Sequence, residues 1–401
     1  MTILNLWNPT DAGIARTTQA SLASDVDAID LADSRDVRLD LVRGLAIWFI
    51  FLDHVPHNAV NWITPRNYGF SGAADLFLLV SGYVATMVYA KMVVERGFVV
   101  AATRIFKRVW QLYAAYVVLL VIYSAVIGYV ATGYAAPDII SEFNVVSLVD
   151  HPIQTLGHGL LLQSRALNLD ILQLYIVLMA LFPPVLWALL RQPALTLIGS
   201  FVLYVAAHQF GWNMRSFPEG SWNFNPFCWQ LVFVSGGWLA LGGARQIRPV
   251  LNWPALRYLG IAYLCFALVM TLAGHIPQLA ELFPTWLFDE FNPRDKTNLS
   301  PYRVLHFVIV AFFMTRLVSK HWSGLDWPIL APAIKCGQRS LAVFCVGVFL
   351  SFAAHLVLIT SSDTILMQDF VSAAGIAIMT VVAYTIAWSR EQDRSLAMHY
   401  R

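Results

Sequence analysis

Charge is scarce in this sequence. Only 12% of its 401 residues are Asp, Glu, Lys or Arg, roughly half of what a water-solvated domain carries. Set against 58% hydrophobic residues and a mean hydropathy of +0.62, that scarcity excludes a soluble globular fold. Cysteine is equally scarce. Cys228, Cys265 and Cys345 lie in apolar runs, Cys336 sits just before one, and no CxxC or Cys/His cluster is present. A disulfide framework, a zinc site or other bound metal, and redox chemistry are therefore not expected. The formal net charge of +2 is too near neutral to suggest nucleic acid as a partner. Residues 1–34 lack an apolar stretch flanked by basic residues and a small-residue cleavage site, so they read as a disordered cytoplasmic tail, not a signal peptide. No internal repeat of the transporter kind is visible.

What the chain has instead is apolar runs of near-membrane length. They recur at residues 41–60, 73–92, 111–131, 169–190, 196–210, 226–241, 258–273, 302–318, 341–359 and 365–388, most of them near the roughly 20 residues that cross a bilayer as a helix. An all-α integral membrane protein of about ten transmembrane helices is expected, one domain over 35–390 with a short cytoplasmic tail at 391–401. Residues 153–162, with His158, are too short and polar to cross and read as an interfacial or re-entrant segment.

Ten spans with both termini in the cytoplasm assign each loop to one side. The inner side then collects 19 Lys and Arg, the outer side only Arg66, Arg165, Arg215, Arg294, Lys296 and Arg303, and Arg43 stays inside the first span. A missed helix would invert later loops and spoil this asymmetry.

Ionisable groups within a span are costly and by default face the protein interior. The first span is densest in them, with Arg38, Asp40 and Arg43 at its inner end and Asp53 and His54 toward its outer third. Arg43 and His54 are roughly 16 Å apart along a helix. The competing readings are an arginine that snorkels to head groups and an ordinary interior histidine. Asp75 and Asp170 place carboxylates at the outer ends of the second and fourth spans, and Ser81 and Gly82 offer a close helix approach. The loop from Thr103 to Arg108 carries Arg104, Lys107 and Arg108 at spacings of three and four, which would stack them on one helix face. A positive-inside stripe would read the same way.

Together these residues resemble the acyltransferase-3 superfamily of membrane acyltransferases, and within it the OpgC-type group that succinylates osmoregulated periplasmic glucans. The superfamily marks are Arg43 ten residues before His54, the Asp75-Leu-Phe-Leu-Leu-Val-Ser-Gly82 element, and the basic stretch Arg104 to Arg108. The narrower likeness rests on Arg35-Asp36-x-Arg38-x-Asp40, Leu169-Asp-Ile-Leu-Gln-Leu-Tyr-Ile176, Asn225-Pro-Phe-x-Trp-Gln230, Asn298-Leu-Ser-Pro-Tyr-Arg303 and Gly337-Gln-Arg-Ser-Leu-Ala-Val-Phe344. One departure is Trp110-Gln111-Leu112-Tyr113 where the wider superfamily often has proline.

The resemblance implies a bacterial inner-membrane O-acyltransferase with succinyl-CoA as co-substrate and no tightly bound cofactor. Its partners are then succinyl-CoA, a periplasmic glucan and membrane lipid, and a homo-oligomer is compatible with it. Arg104, Lys107 and Arg108, with Arg43 and Arg339, would hold the CoA phosphates. His54 would be general base, oriented by Asp53, Asp75 or Asp170; Asp53 is the weakest choice because consecutive helical residues diverge by about 100°. Arg303 and His306 would receive the acyl carboxylate, unless Arg303 pairs with Asp295 or Glu290. Trp62 and Trp222 would stack on sugar or belong to the interfacial aromatic belt. An acetyltransferase of another envelope glycan and a proton-coupled glycan transporter are the alternatives.

Overall fold

The computed structural model describes residues 36–134, 146–164, 169–292, 296–317, 322–361 and 364–399. The expected tail at 1–34 lies outside these residues, as do Arg35, Arg165, Arg294, Asp295 and Lys320. Among the described residues the chain is helical, with no strand beyond two isolated bridges.

Each of the ten apolar runs falls on a helix. In chain order the elements used below are α1 (Val37–Asp53), α2 (Ala73–Arg96), α3 (Phe98–Tyr134), α4 (Pro152–Leu160), α5 (Asp170–Ala180), α6 (Phe182–Arg191), α7 (Pro193–Phe210), α8 (Pro226–Trp238), α9 (Pro254–Ala273), α10 (Pro301–Leu317), α11 (Ala331–Gln338), α12 (Ser340–Thr360) and α13 (Ile365–His399). Six of them, α2, α3, α7, α9, α12 and α13, are long and apolar enough to cross a membrane, and α5 with α6, bent by 55° where they meet, has the make-up of either a broken seventh span or a re-entrant loop. The short α4 sits where the interfacial segment was expected. Tyr113 and Tyr116 of α3 tether it by donating to the carbonyls of Leu160 and Gly159 at 2.9 and 3.0 Å.

Two expectations about local structure change. The first run does not continue as helix to residue 60. Proline disfavours helical backbone in the residue before it and offers no N–H of its own, so Pro56 ends α1 at Asp53, and His54 caps the helix with its N–H on the Phe51 carbonyl at 3.1 Å. Nor do Arg104, Lys107 and Arg108 lie on a loop. Gly97, at φ +85°, breaks the chain, and with no proline from Phe98 to Tyr134 the basic stretch becomes part of α3.

The bundle is drawn together at two crossings where backbones touch. A Cβ on Gly82 of α2 would collide with the Phe233 carbonyl of α8, and one on Gly236 of α8 with the Leu79 carbonyl of α2. The second crossing pairs Gly44 of α1 with Gly337 of α11, against the carbonyls of Ala333 and Asp40. Small residues permit this approach, and dispersion at contact distance rewards it. Around these seams lies one large core, with Trp229, Tyr116, Tyr123 and Phe51 among its fully buried side chains.

Candidate active site

His54 stands where α1 stops. Its Nδ1 donates to the carbonyl of Ile50, one turn back, at 2.6 Å. A carbonyl only accepts, so Nδ1 carries the proton and the neutral ring keeps its lone pair on Nε2. The ring lines a narrow cleft with Ile47, Ile50, Phe51, Phe344 and Ser351. A second narrow cavity is lined by Arg108, Phe77, Tyr175, Ser340 and again Phe344. Phe344 thus belongs to both walls, and the two spaces follow one another along the bundle.

None of the three carboxylates is bonded to the imidazole. Asp53 accepts from the Thr64 hydroxyl at 2.7 Å and lies 3.9 Å from Arg66 Nε, the divergence expected of neighbours on a helix. Asp75, fully buried, is held by Arg303 through Nε at 3.1 Å and Nη2 at 2.7 Å, and accepts from the Gly72 N–H at 2.8 Å. Asp170 accepts from Asn223 at 2.7 Å. The group that fixes the His54 tautomer is therefore a backbone carbonyl.

At the other end of α1, Arg43 donates to the Ser340 hydroxyl at 2.7 Å and lies 5.9 Å from the centre of the Phe77 ring. It thereby shares two lining residues with the Arg108 cavity. Arg108 is half-buried, whereas Arg104 and Lys107 are exposed. Arg339 is half-buried next to Ser340, at the junction of α11 and α12.

A family profile described as OpgC protein matches residues 35–391. The chain belongs to the OpgC protein family. Membership supports a glucan-modifying role of the acyltransferase type, and the apolar helices agree with a membrane protein. Neither a curated protein nor a solved structure matches the chain.

In this OpgC family member Arg303, at the start of α10, is the partner of Asp75, and its guanidinium lies over the Trp229 ring at 5.6 Å. Among the described residues its ion pair is thus with Asp75, 228 residues away in sequence, and not with Glu290. His306 is buried; its Nδ1 accepts from the Ser71 N–H at 3.3 Å and lies 2.7 Å from the Ser71 hydroxyl, beside Phe70 and Tyr263. It holds the loop that feeds Gly72 and Asp75. Trp62 is exposed and packs on His275 at 4.9 Å. Trp222 is only 4% exposed, so its faces are not open to a sugar in this arrangement.

The sequence reading passed over Lys296. Its side chain is exposed yet ringed by protein, within electrostatic range of Asp170, Arg66, Arg303 and Asp53. His54 in turn lies within range of Lys296 and Arg66. The signal was there in the positive-inside count, because a cation on the depleted side asks for a local reason.

Proposed function

We propose that this protein is an O-acyltransferase of the inner membrane that moves a succinyl group from cytoplasmic succinyl-CoA to hydroxyls of periplasmic glucans. The observation that carries this reading is the His54–Ile50 hydrogen bond, which leaves Nε2 unprotonated beside a cavity whose wall it shares, through Phe344, with the cavity of Arg108.

The phosphates of CoA bind at Arg108, with Arg43 behind it and Arg104, Lys107 and Arg339 around it, because clustered guanidinium and ammonium groups suit phosphate oxygens. The flexible arm then runs along the Phe344 wall, a span comparable to the roughly 16 Å between Arg43 and His54. At the outer end a glucan hydroxyl attacks the thioester carbonyl carbon while His54 Nε2 takes its proton. The tetrahedral intermediate collapses, the C–S bond breaks, and the imidazolium returns the proton to sulfur, so the products are an ester and free CoA thiol. Asp53 and Asp170 line the outer side of this step and contribute field rather than a direct hydrogen bond to the ring. Trp62 offers an exposed aromatic face toward the acceptor.

Sealed proteoliposomes of known orientation test the reading. Glucan is succinylated only when it faces the outer loops and succinyl-CoA faces the Arg104–Arg108 side. Equal labelling with both substrates confined to the basic side rejects the vectorial scheme, and failure to release thiol from any acyl-CoA rejects the acyltransferase.

A further inference from the structure

A succinyl group carries a free carboxylate, and a carboxylate drawn into a membrane protein needs a cation. Lys296 and Arg66 lie within electrostatic range of His54, and Arg303 within range of Lys296. Arg303 is committed twice over to the fully buried Asp75. Arg66 has Asp53 beside it and is half exposed, at 49%. Lys296 has no carboxylate within ion-pair distance among the described residues, and its ammonium lies 5.6 Å from the centre of the Phe224 ring.

The backbone of Lys296 is nevertheless fixed. Its carbonyl accepts from the buried Trp229 indole N–H at 2.9 Å, and the next carbonyl, of Thr297, accepts from the Asn225 N–H at 2.9 Å. Asn225 also donates from its side chain to Asn298 at 3.0 Å. The Asn225-Pro-Phe-x-Trp-Gln230 and Asn298-Leu-Ser-Pro-Tyr-Arg303 elements therefore lock onto each other, and the residue they hold in place is Lys296.

We infer that Lys296 binds the free carboxylate of the acyl group beside His54 and sets a preference for a dicarboxylic half-thioester donor. The inference rests on the acyl-CoA reading above and names the acyl specificity of that site. Placed extended at His54, the thioester carbonyl and the distal carboxylate of a succinyl group are only three C–C bonds apart, so one short side chain decides whether that end meets a charge. The surroundings also favour an incoming anion. Enclosure by protein, only partly offset by Asp170 and Asp53 and reinforced by Arg66 and Arg303, holds the Lys296 ammonium below the usual lysine range, and a bound carboxylate relieves that cost.

Thiol release from succinyl-CoA and from acetyl-CoA by the purified protein provides the test, with water as the acceptor when glucan is absent. In Lys296→Gln the ratio of kcat/KM for succinyl-CoA to that for acetyl-CoA falls about tenfold or more, the scale of one lost charge-assisted hydrogen bond. Lys296→Arg retains the ratio at neutral pH and holds it as pH rises, because a guanidinium does not deprotonate; the wild-type ratio declines on the same alkaline limb. A wild type that releases thiol while both variants keep its ratio and its pH profile overturns the inference and leaves the acyltransferase standing. A wild type that releases thiol from neither donor overturns both.

Discussion

His54 donates a ring proton to the carbonyl of Ile50, the residue one turn before it on the same helix, at 2.6 Å. A histidine general base is normally held by a carboxylate or carbonyl that fixes which nitrogen is free, and for the role proposed for His54 the helix supplies that partner from its own backbone. His54→Ala is expected to leave a folded, membrane-inserted protein with transfer reduced by about 10²–10⁴-fold, the range for loss of a general base. Succinylation at the wild-type rate by the purified variant would remove His54 from the chemistry.

The donor cations are not equivalent. Arg108→Ala is expected to raise the acyl-CoA KM by about tenfold with a smaller change in kcat, since it contacts a part of the donor that does not react. Arg104→Ala and Lys107→Ala, whose side chains are exposed, should act more weakly and lose their effect at high salt. Steady-state kinetics at two ionic strengths distinguish them, and wild-type KM values in all three variants would show that no donor site lies on this face.

Breaking the Asp75–Arg303 pair should be a stability event. Asp75→Asn leaves a guanidinium whose side chain is 11% exposed facing a neutral amide, and removing one partner of a buried pair typically costs about 3–5 kcal/mol. Thermal unfolding in detergent should show the single substitution worse than the double Asp75→Leu, Arg303→Met. A double variant no more stable than the single one would indicate that the pair does not act as a unit.

At the α2–α8 crossing, Gly82→Val is expected to force the two backbones apart and lower the melting temperature, since the Phe233 carbonyl occupies the space a Cβ needs. Strain of this kind costs about 1–3 kcal/mol. Gly128→Ala, within α3 where a Cβ meets nothing, is the control that should melt no lower than the wild type, since Ala is the better helix former.

Apolar runs were enough to place the long helices, because a bilayer imposes length and composition on each span separately, whereas short helices such as α11 left no such run in the sequence. The Gly82 approach was also readable, from the small residues beside it. What the sequence concealed were pairings between distant helices: Arg303 lies 228 positions from Asp75, and no local pattern reveals that one neutralises the other. The end of α1 was legible in Pro56 but outweighed by the apolar residues around it. Lys296 was concealed for a different reason, since its importance comes from a backbone clasp between two motifs read separately. Trp222 shows the limit of reasoning from loop position, because a residue flanked by polar neighbours is still 96% covered by the fold.

The two cavities that share Phe344 carry a consequence for the membrane as an insulator. On the proposed reading an acyl group crosses while the CoA phosphates remain inside, so the passage must admit a thioester arm and still refuse protons and ions driven by the transmembrane voltage. The shared wall is one aromatic ring, itself 4% exposed, and around it stand Ile47, Ile50, Phe51 and Leu341. Such a lining gives a hydrated ion nothing to replace its water. Electrical tightness is thus concentrated in a short apolar collar, while the charged groups at either end stay on their own sides of it.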